Sequence, residues 1–231
     1  MPTNANAPTL SGDAQIPLYL ARPAGEAKAA IIVIPEIFGV NGGIAGKCDA
    51  WAEQGYLAAA PDIFWRFALG EEYDPDIEDH FHKALDNMGK YDADQGVRDL
   101  EAVIHFLKDE GVAKVGAVGF CLGGRMAYMM ATRTDVSASV GYYGVMIDQM
   151  LGESHAIANP LMLHIPTADH FVGPEAQKAM HDGLGPNRHV TLHDYEGLDH
   201  GFAAQGGSRR NEEGAQLADK RTSDFFAEHL A

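Results

Sequence analysis

Five short apolar runs in this chain show no alternation of polar and apolar residues, and they limit its architecture more than any other feature. The clearest spans residues 30–35, Ala-Ile-Ile-Val-Ile-Pro. A strand with one wet face alternates with period two, so this unbroken run predicts a strand covered on both faces and central in its sheet. Residues 57–60, 115–118, 139–142 and 161–165 have the same character, and 190–192 adds a further strand. Helical periodicity fills the intervals, at 44–54, 77–87, 92–110, 122–132, 175–182 and 212–230. Within 92–110, Val97, Leu100, Ile104 and Leu107 recur every three or four residues on one face, and Gly111 follows as a stop. Strands separated by helices pair in parallel through crossovers. The expected fold is therefore α/β, a mostly parallel central sheet with helices on both faces. No repeat, low-complexity tract or Gly/Ser/Pro linker divides the chain, and residues 1–231 read as a single domain.

Charge and cysteine content narrow the function classes. Seventeen Lys and Arg against thirty-three Asp and Glu leave a net charge of −16, which argues against nucleic acid or an anionic membrane as partner. Two cysteines, Cys48 and Cys121, are too few for a disulfide scaffold and fit a reducing compartment. The first fifteen residues hold neither a basic n-region nor an apolar stretch, and the run 29–34 is far short of the roughly eighteen residues that span a bilayer. The expectation is a cytoplasmic protein without membrane contact, a monomer or homodimer.

The chemistry concentrates in Gly119-Phe120-Cys121-Leu122-Gly123-Gly124, directly after strand 115–118 and opening helix 122–132. This is G-x-C-x-G, the thiol counterpart of the G-x-S-x-G turn, in which a strained strand-to-helix junction lifts the nucleophile above the sheet. A small buried cysteine on a tight turn would explain Cys121 alone. Two later segments argue for more. Asp169 follows strand 161–165 and His200 follows strand 190–192, both past the C-terminal sheet edge and in the order nucleophile, acid, histidine. A capping aspartate and a surface histidine would account for each singly, but not for three residues in that order. The Leu122 N–H, at a helix N-terminus, is placed to hold an oxyanion, and the same dipole favours thiolate over thiol. Glu36, at the end of an apolar strand with no adjacent cation in sequence, requires a partner or a proton.

Beside the cysteine turn stand Ile34-Pro35-Glu36-Ile37-Phe38-Gly39, Pro61-Asp62-Ile63, Gly141-Tyr142-Tyr143-Gly144, Asp169-His170-Phe171-Val172 and His200-Gly201-Phe202. With these segments the chain resembles the dienelactone hydrolase family of the α/β-hydrolases over nearly its whole length. The resemblance implies an α/β-hydrolase fold and a triad that opens cyclic enol-lactones, with Cys121 as nucleophile, His200 as general base and acid, and Asp169 orienting the imidazole. It also implies that Glu36 pairs with the cysteine and helps generate the thiolate when substrate binds. The Ile37 N–H would complete the oxyanion hole with that of Leu122. The expected activity is cysteine-dependent opening of a lactone or ester bond in a small molecule through a thioacyl intermediate, with no cofactor and no metal. The alternatives are a broad short-chain carboxylesterase and a non-catalytic scaffold with Cys121 as a redox-sensing thiol.

The chain also departs from the family. Relatives that take dienelactone hold its carboxylate with two arginines, one on the segment before helix 92–110 and one four residues after the histidine. Here residues 80–85 offer only His80, His82 and Lys83, and Ala204 stands four residues after His200. Arg66, Arg125, Arg209 and Arg210 are the available substitutes, and no spacing assigns one of them to the pocket. Altered carboxylate recognition follows, because neither imidazole nor ammonium reproduces a bidentate guanidinium contact. Phe38, Trp65, Tyr142, Phe171 and Phe202 are candidate substrate-binding residues, and the aperiodic segment 64–79 borders the site. Two histidine pairs, His80 with His82 and His189 with His193, do not make a metal site; on a strand, four residues span about 13 Å. The glycine-rich 39–43 lacks both dinucleotide and P-loop spacing.

Overall fold

The computed structural model describes residues 3–205 and 208–231. Along the chain run β1 (Ala5–Pro8), β2 (Gln15–Ala21), β3 (Ala30–Ile34), α1 (Gly42–Glu53), β4 (Leu57–Pro61), α2 (Glu78–Lys90) and α3 (Ala93–Asp109). Then come β5 (Val115–Phe120), α4 (Leu122–Arg133), β6 (Ala138–Tyr142), a 3₁₀ segment at Ile147–Ala156, β7 (Leu161–Pro166), α5 (Pro174–Leu184), β8 (Val190–Tyr195) and α6 (Glu212–His229). The strands form one sheet in the order β1-β2-β4-β3-β5-β6-β7-β8. β1 with β2 and β2 with β4 are antiparallel, and every pair from β4 to β8 is parallel.

The predicted strands and helices are all present, and the α/β fold is as expected. Every residue of β3 is fully buried, as a central strand covered on both faces must be. Trp51 of α1 meets Phe226 of α6 edge to face at 5.5 Å, tying these two helices together across the sequence. Two antiparallel strands and the 3₁₀ segment lie outside the sequence expectation. In β2 only Ile16, Leu18 and Ala21 are buried, and Pro17 interrupts the run; a proline inside a strand is tolerated near an edge because it has no N–H to give. Its carbonyl instead accepts from the Asp62 N–H at 2.9 Å.

The topology prepares the site. From β3 the chain crosses to β4 on one side, and from β5 it crosses to β6 on the other, so the carboxyl ends of β3 and β5 form the point where the winding reverses. The last rung between them pairs Ile34 with Gly119. Glu36 and Cys121 therefore each leave the sheet two residues beyond the same rung.

Candidate active site

Cys121 has φ 56° and ψ −114°, a left-handed backbone that a residue bearing a Cβ adopts only under constraint. The glycines around it supply the constraint. A Cβ at Gly119 would run into the Gly123 carbonyl oxygen, and one at Gly123 into the carbonyl of Ile34. With hydrogen in both places, the first turn of α4 sits directly on the ends of β5 and β3. The Cys121 N–H donates to the Tyr142 carbonyl at 3.0 Å, and its own carbonyl accepts from the Arg125 N–H at 3.1 Å, so the turn is held on both sides. Leu122 begins α4, where a first-turn N–H has no intrahelical acceptor.

Asp169 and His200 come from the loops after β7 and β8. One Asp169 oxygen accepts from the Phe171 N–H at 2.8 Å and the Val172 N–H at 3.1 Å, fixing the loop. The other binds His200 Nδ1 at 2.9 Å, and both side chains are buried. His200 Nε2 closes no hydrogen bond and faces the Cys121 thiol. The ring is flanked by Tyr143 at 4.9 Å and by Phe171, edge to face, at 4.8 Å. Burial opposes protonation of His200, yet charge at Cys121 and the Asp169 carboxylate outweigh it, and the imidazole is pushed up to about 10.

Glu36 meets the same centre from β3. Burial raises its pKa, while His200, the Tyr143 hydroxyl, Lys47 and Arg209 pull the other way. The Tyr143 hydroxyl is turned toward this carboxyl without closing a hydrogen bond. Burial wins, and the carboxyl is held above its ordinary range.

Glu36, Ile37, Cys121 and His200 open into a cavity of about 150 Å³. Its wall is mostly apolar, with Phe38, Val145 and Phe171 opposite Phe81, Leu85 and Met88 of α2. The α2 face was legible in principle, since 81, 85 and 88 recur at helical spacing. Arg209 reaches the rim, its guanidinium 5.7 Å from the Phe81 ring and 5.9 Å from that of Phe171.

Of the aromatic candidates, Phe38 and Phe171 line this cavity, and three do not. Tyr142 is the last residue of β6 and points to the opposite sheet face, where its hydroxyl meets Thr222 Oγ1 at 2.6 Å and Asp219 Oδ1 at 3.0 Å. Alternation along the strand hands the site to Tyr143 instead, at φ 40°. Trp65 turns outward and donates its Nε1–H to Asp99 at 3.0 Å. Phe202 is buried behind the histidine loop, 4.7 Å from the Tyr195 ring and 5.7 Å from that of Tyr143. Among the other arginines, Arg66 pairs with Asp99, Arg210 pairs with Glu212, and Arg125 lies against Met146.

One trio has the donor atoms for a cation, Asp169, His170 and Asp199, within 4.8 Å of one another among the described residues. Its Asp169 oxygens are already engaged by His200 and two backbone N–H groups, and His170 Nδ1 lies 2.7 Å from Asp199. No helix among the described residues is long and apolar enough to cross a membrane.

Comparison with known proteins gives the family. The family description "Dienelactone hydrolase family" matches residues 16–230. A carboxymethylenebutenolidase of Pseudomonas putida is 35% identical over 207 residues, covering 89% of this chain and 88% of its own. One from Pseudomonas sp. strain P51 is 32% identical over 217 residues, covering 93% and 91%. Among solved structures, a candidate dienelactone hydrolase from Klebsiella pneumoniae superposes with a TM-score of 0.83 at 26% identity, over 97% of this chain and 99% of that one. The chain belongs to the dienelactone hydrolase family, and is a hydrolase of the α/β-hydrolase superfamily.

Proposed function

We propose that this chain hydrolyses carboxylic esters and lactones through a thioacyl intermediate on Cys121. The observation that carries the reading is the buried His200 ring, bound to Asp169 through Nδ1 and left with Nε2 free toward a cysteine on a strained turn. In this mechanism His200 takes the Cys121 proton, and the thiolate attacks the carbonyl carbon. The Ile37 and Leu122 N–H groups hold the oxyanion, and His200 returns the proton to the departing alkoxide or enolate. Water, activated by the same imidazole, then cleaves the thioester and regenerates the thiol. Glu36 lies beside the pair to accept or release a proton as substrate binds.

The relatives named as carboxymethylenebutenolidases suggest a lactone, but recognition of its carboxylate is altered here. The cavity is largely apolar, and among the described residues the guanidinium on its rim is the exposed one of Arg209, with the Asp76 carboxylate on the same rim. An exposed charge is a weak clamp. A carboxylate-bearing dienelactone and its methyl ester should therefore be turned over with kcat/KM values within about threefold. Steady-state kinetics on both compounds tests this, and a preference for the acid of a hundredfold or more, on the order expected for a desolvated clamp, would contradict it. Cys121→Ala should lower turnover by about a thousandfold or more while circular dichroism stays unchanged. In wild type, mass spectrometry of a rapidly quenched reaction should find the acyl group on the peptide carrying Cys121. Undiminished activity of Cys121→Ala would end the proposal.

A further inference from the structure

A second chamber of about 380 Å³ adjoins the apolar cavity, and the two share Glu36, Phe38, Pro75 and Ala204 as walls. Its size falls within the roughly 300–1,000 Å³ of small-ligand pockets, so it is more than a water niche. Its chemistry differs from that of its neighbour. Phe38, Tyr73 and Phe120 supply ring surfaces, Glu36, Glu72 and Asp74 supply carboxyl groups, and Asn41 and Gln205 supply amides.

Lys47 is the cation of this chamber. It rises from α1, with Nζ 4.4 Å from the Phe120 ring centroid and a hydrogen bond to the Ala203 carbonyl at 3.2 Å. It makes no ion pair among the described residues. An ammonium has three donors, and the Ala203 carbonyl and the Phe120 ring do not exhaust them beside a wall that carries acceptors. Burial is the main influence lowering its pKa, with Asp219 and Glu36 opposing.

The balance of charge selects the occupant. An anion would meet Lys47 but also three carboxyl groups, and a cation would meet the carboxylates but also Lys47. A neutral polyhydroxylated group uses both kinds of wall: its hydroxyls donate to the carboxylates and accept from the ammonium, while its C–H faces lie on the rings. We propose that the substrate is a two-part ester or lactone, with an apolar half in the Phe81–Leu85–Met88 cavity and a neutral polyhydroxylated half in the Lys47 chamber. This rests on the hydrolase reading above and adds a substrate class to it.

The test compares four esters with wild-type protein: 6-O-butanoylglucose, butyl glycerate, ethyl butanoate and the butanoyl ester of glycolate. The first two carry the hydroxylated half on opposite sides of the ester bond. At least one of them should exceed ethyl butanoate in kcat/KM by about tenfold, as two or three new hydrogen bonds would give. Lys47→Met should remove most of that advantage, read as the ratio of kcat/KM for the hydroxylated ester to that for ethyl butanoate in the same variant. Because a substitution in a packed wall can disturb folding, Gln205→Ala, at an exposed position, serves as the second variant and should lower the same ratio. Ethyl butanoate turned over with no gain for either hydroxylated ester, or the glycolate ester preferred, would overturn this inference and leave the hydrolase reading standing. No turnover of any of the four, in a protein that also fails on lactones, would overturn both.

Discussion

At the scale of single residues, Glu36 departs most from the behaviour of an ordinary side chain. Its carboxyl leaves an apolar strand at the sheet's reversal point, and burial raises its pKa above the unfolded value of 4.5. The folded state therefore holds this proton more tightly than the unfolded chain does. Stability from this source is full below pH 4.5 and declines as pH rises toward the folded pKa. Glu36→Gln carries no such proton, so its melting temperature relative to wild type should rise with pH from 4.5 upward. Thermal melts of both proteins across that range check the sign, and a gap that narrows with rising pH would contradict the burial argument. The need for a partner or proton at Glu36 was legible in the sequence, from an apolar strand ending in a carboxylate. The identities of its neighbours Tyr143, Lys47 and Arg209 were not, since they come from three separate parts of the chain.

Among the elements, the turn between β5 and α4 and the strand β7 show two different ways of fixing a position. The turn works by close approach. Gly123→Ala would drive a methyl group into the Ile34 carbonyl and push α4 off the sheet, at a cost of about 3 kcal/mol or more and with loss of activity. Urea unfolding measures the first, ester hydrolysis the second. Strand β7 works by a buried polar network. His164 shares Nδ1 with the Tyr195 hydroxyl at 2.7 Å and Nε2 with Thr222 Oγ1 at 2.9 Å, joining β7 to β8 and α6. Burial, aided by His193 and Arg221, holds its pKa well below 6.5. As pH falls below 6.5 the unfolded chain takes up a proton that the folded one refuses, and stability declines. His164→Gln should show a shallower loss between pH 6.5 and 5 than wild type in the same melts; an equal slope would place the acid sensitivity elsewhere.

The elements themselves were readable to unequal degree. Strands covered on both faces announce themselves as apolar runs, and β3 to β7 follow the runs closely. β1 is the edge strand and β2 the one beside it, where partial exposure and Pro17 dilute the pattern. The 3₁₀ segment Ile147–Ala156 buries only Ile147, so it leaves almost no periodic trace.

For the whole molecule, the surplus of acidic groups is the dominant physical fact. A net charge of −16 on 231 residues repels itself in the compact state more than in the expanded one. Raising NaCl from 10 to 300 mM should therefore raise the melting temperature by about 2–5 °C, the screening of self-repulsion outweighing that of exposed pairs such as Lys178–Asp182. A falling melting temperature in calorimetry would mean that the surface pairs matter more.

Local chemistry settled much of this protein before any coordinates. Apolar runs specify buried strands, and the glycines of the cysteine turn specify a close strand-to-helix junction, because both are properties of neighbours in the chain. The order Cys121, Asp169, His200 was equally visible. What a sequence does not carry is the direction in which a side chain leaves a strand end and what lies opposite it. That is why Tyr143 rather than Tyr142 packs on the His200 ring, why Trp65 and Phe202 do not line the cavity, and why Arg209 alone of the four candidate arginines reaches its rim. Those outcomes follow from strand register, from the backbone turn after β6 and from the meeting of loops far apart in sequence. Only the folded sheet brings them together.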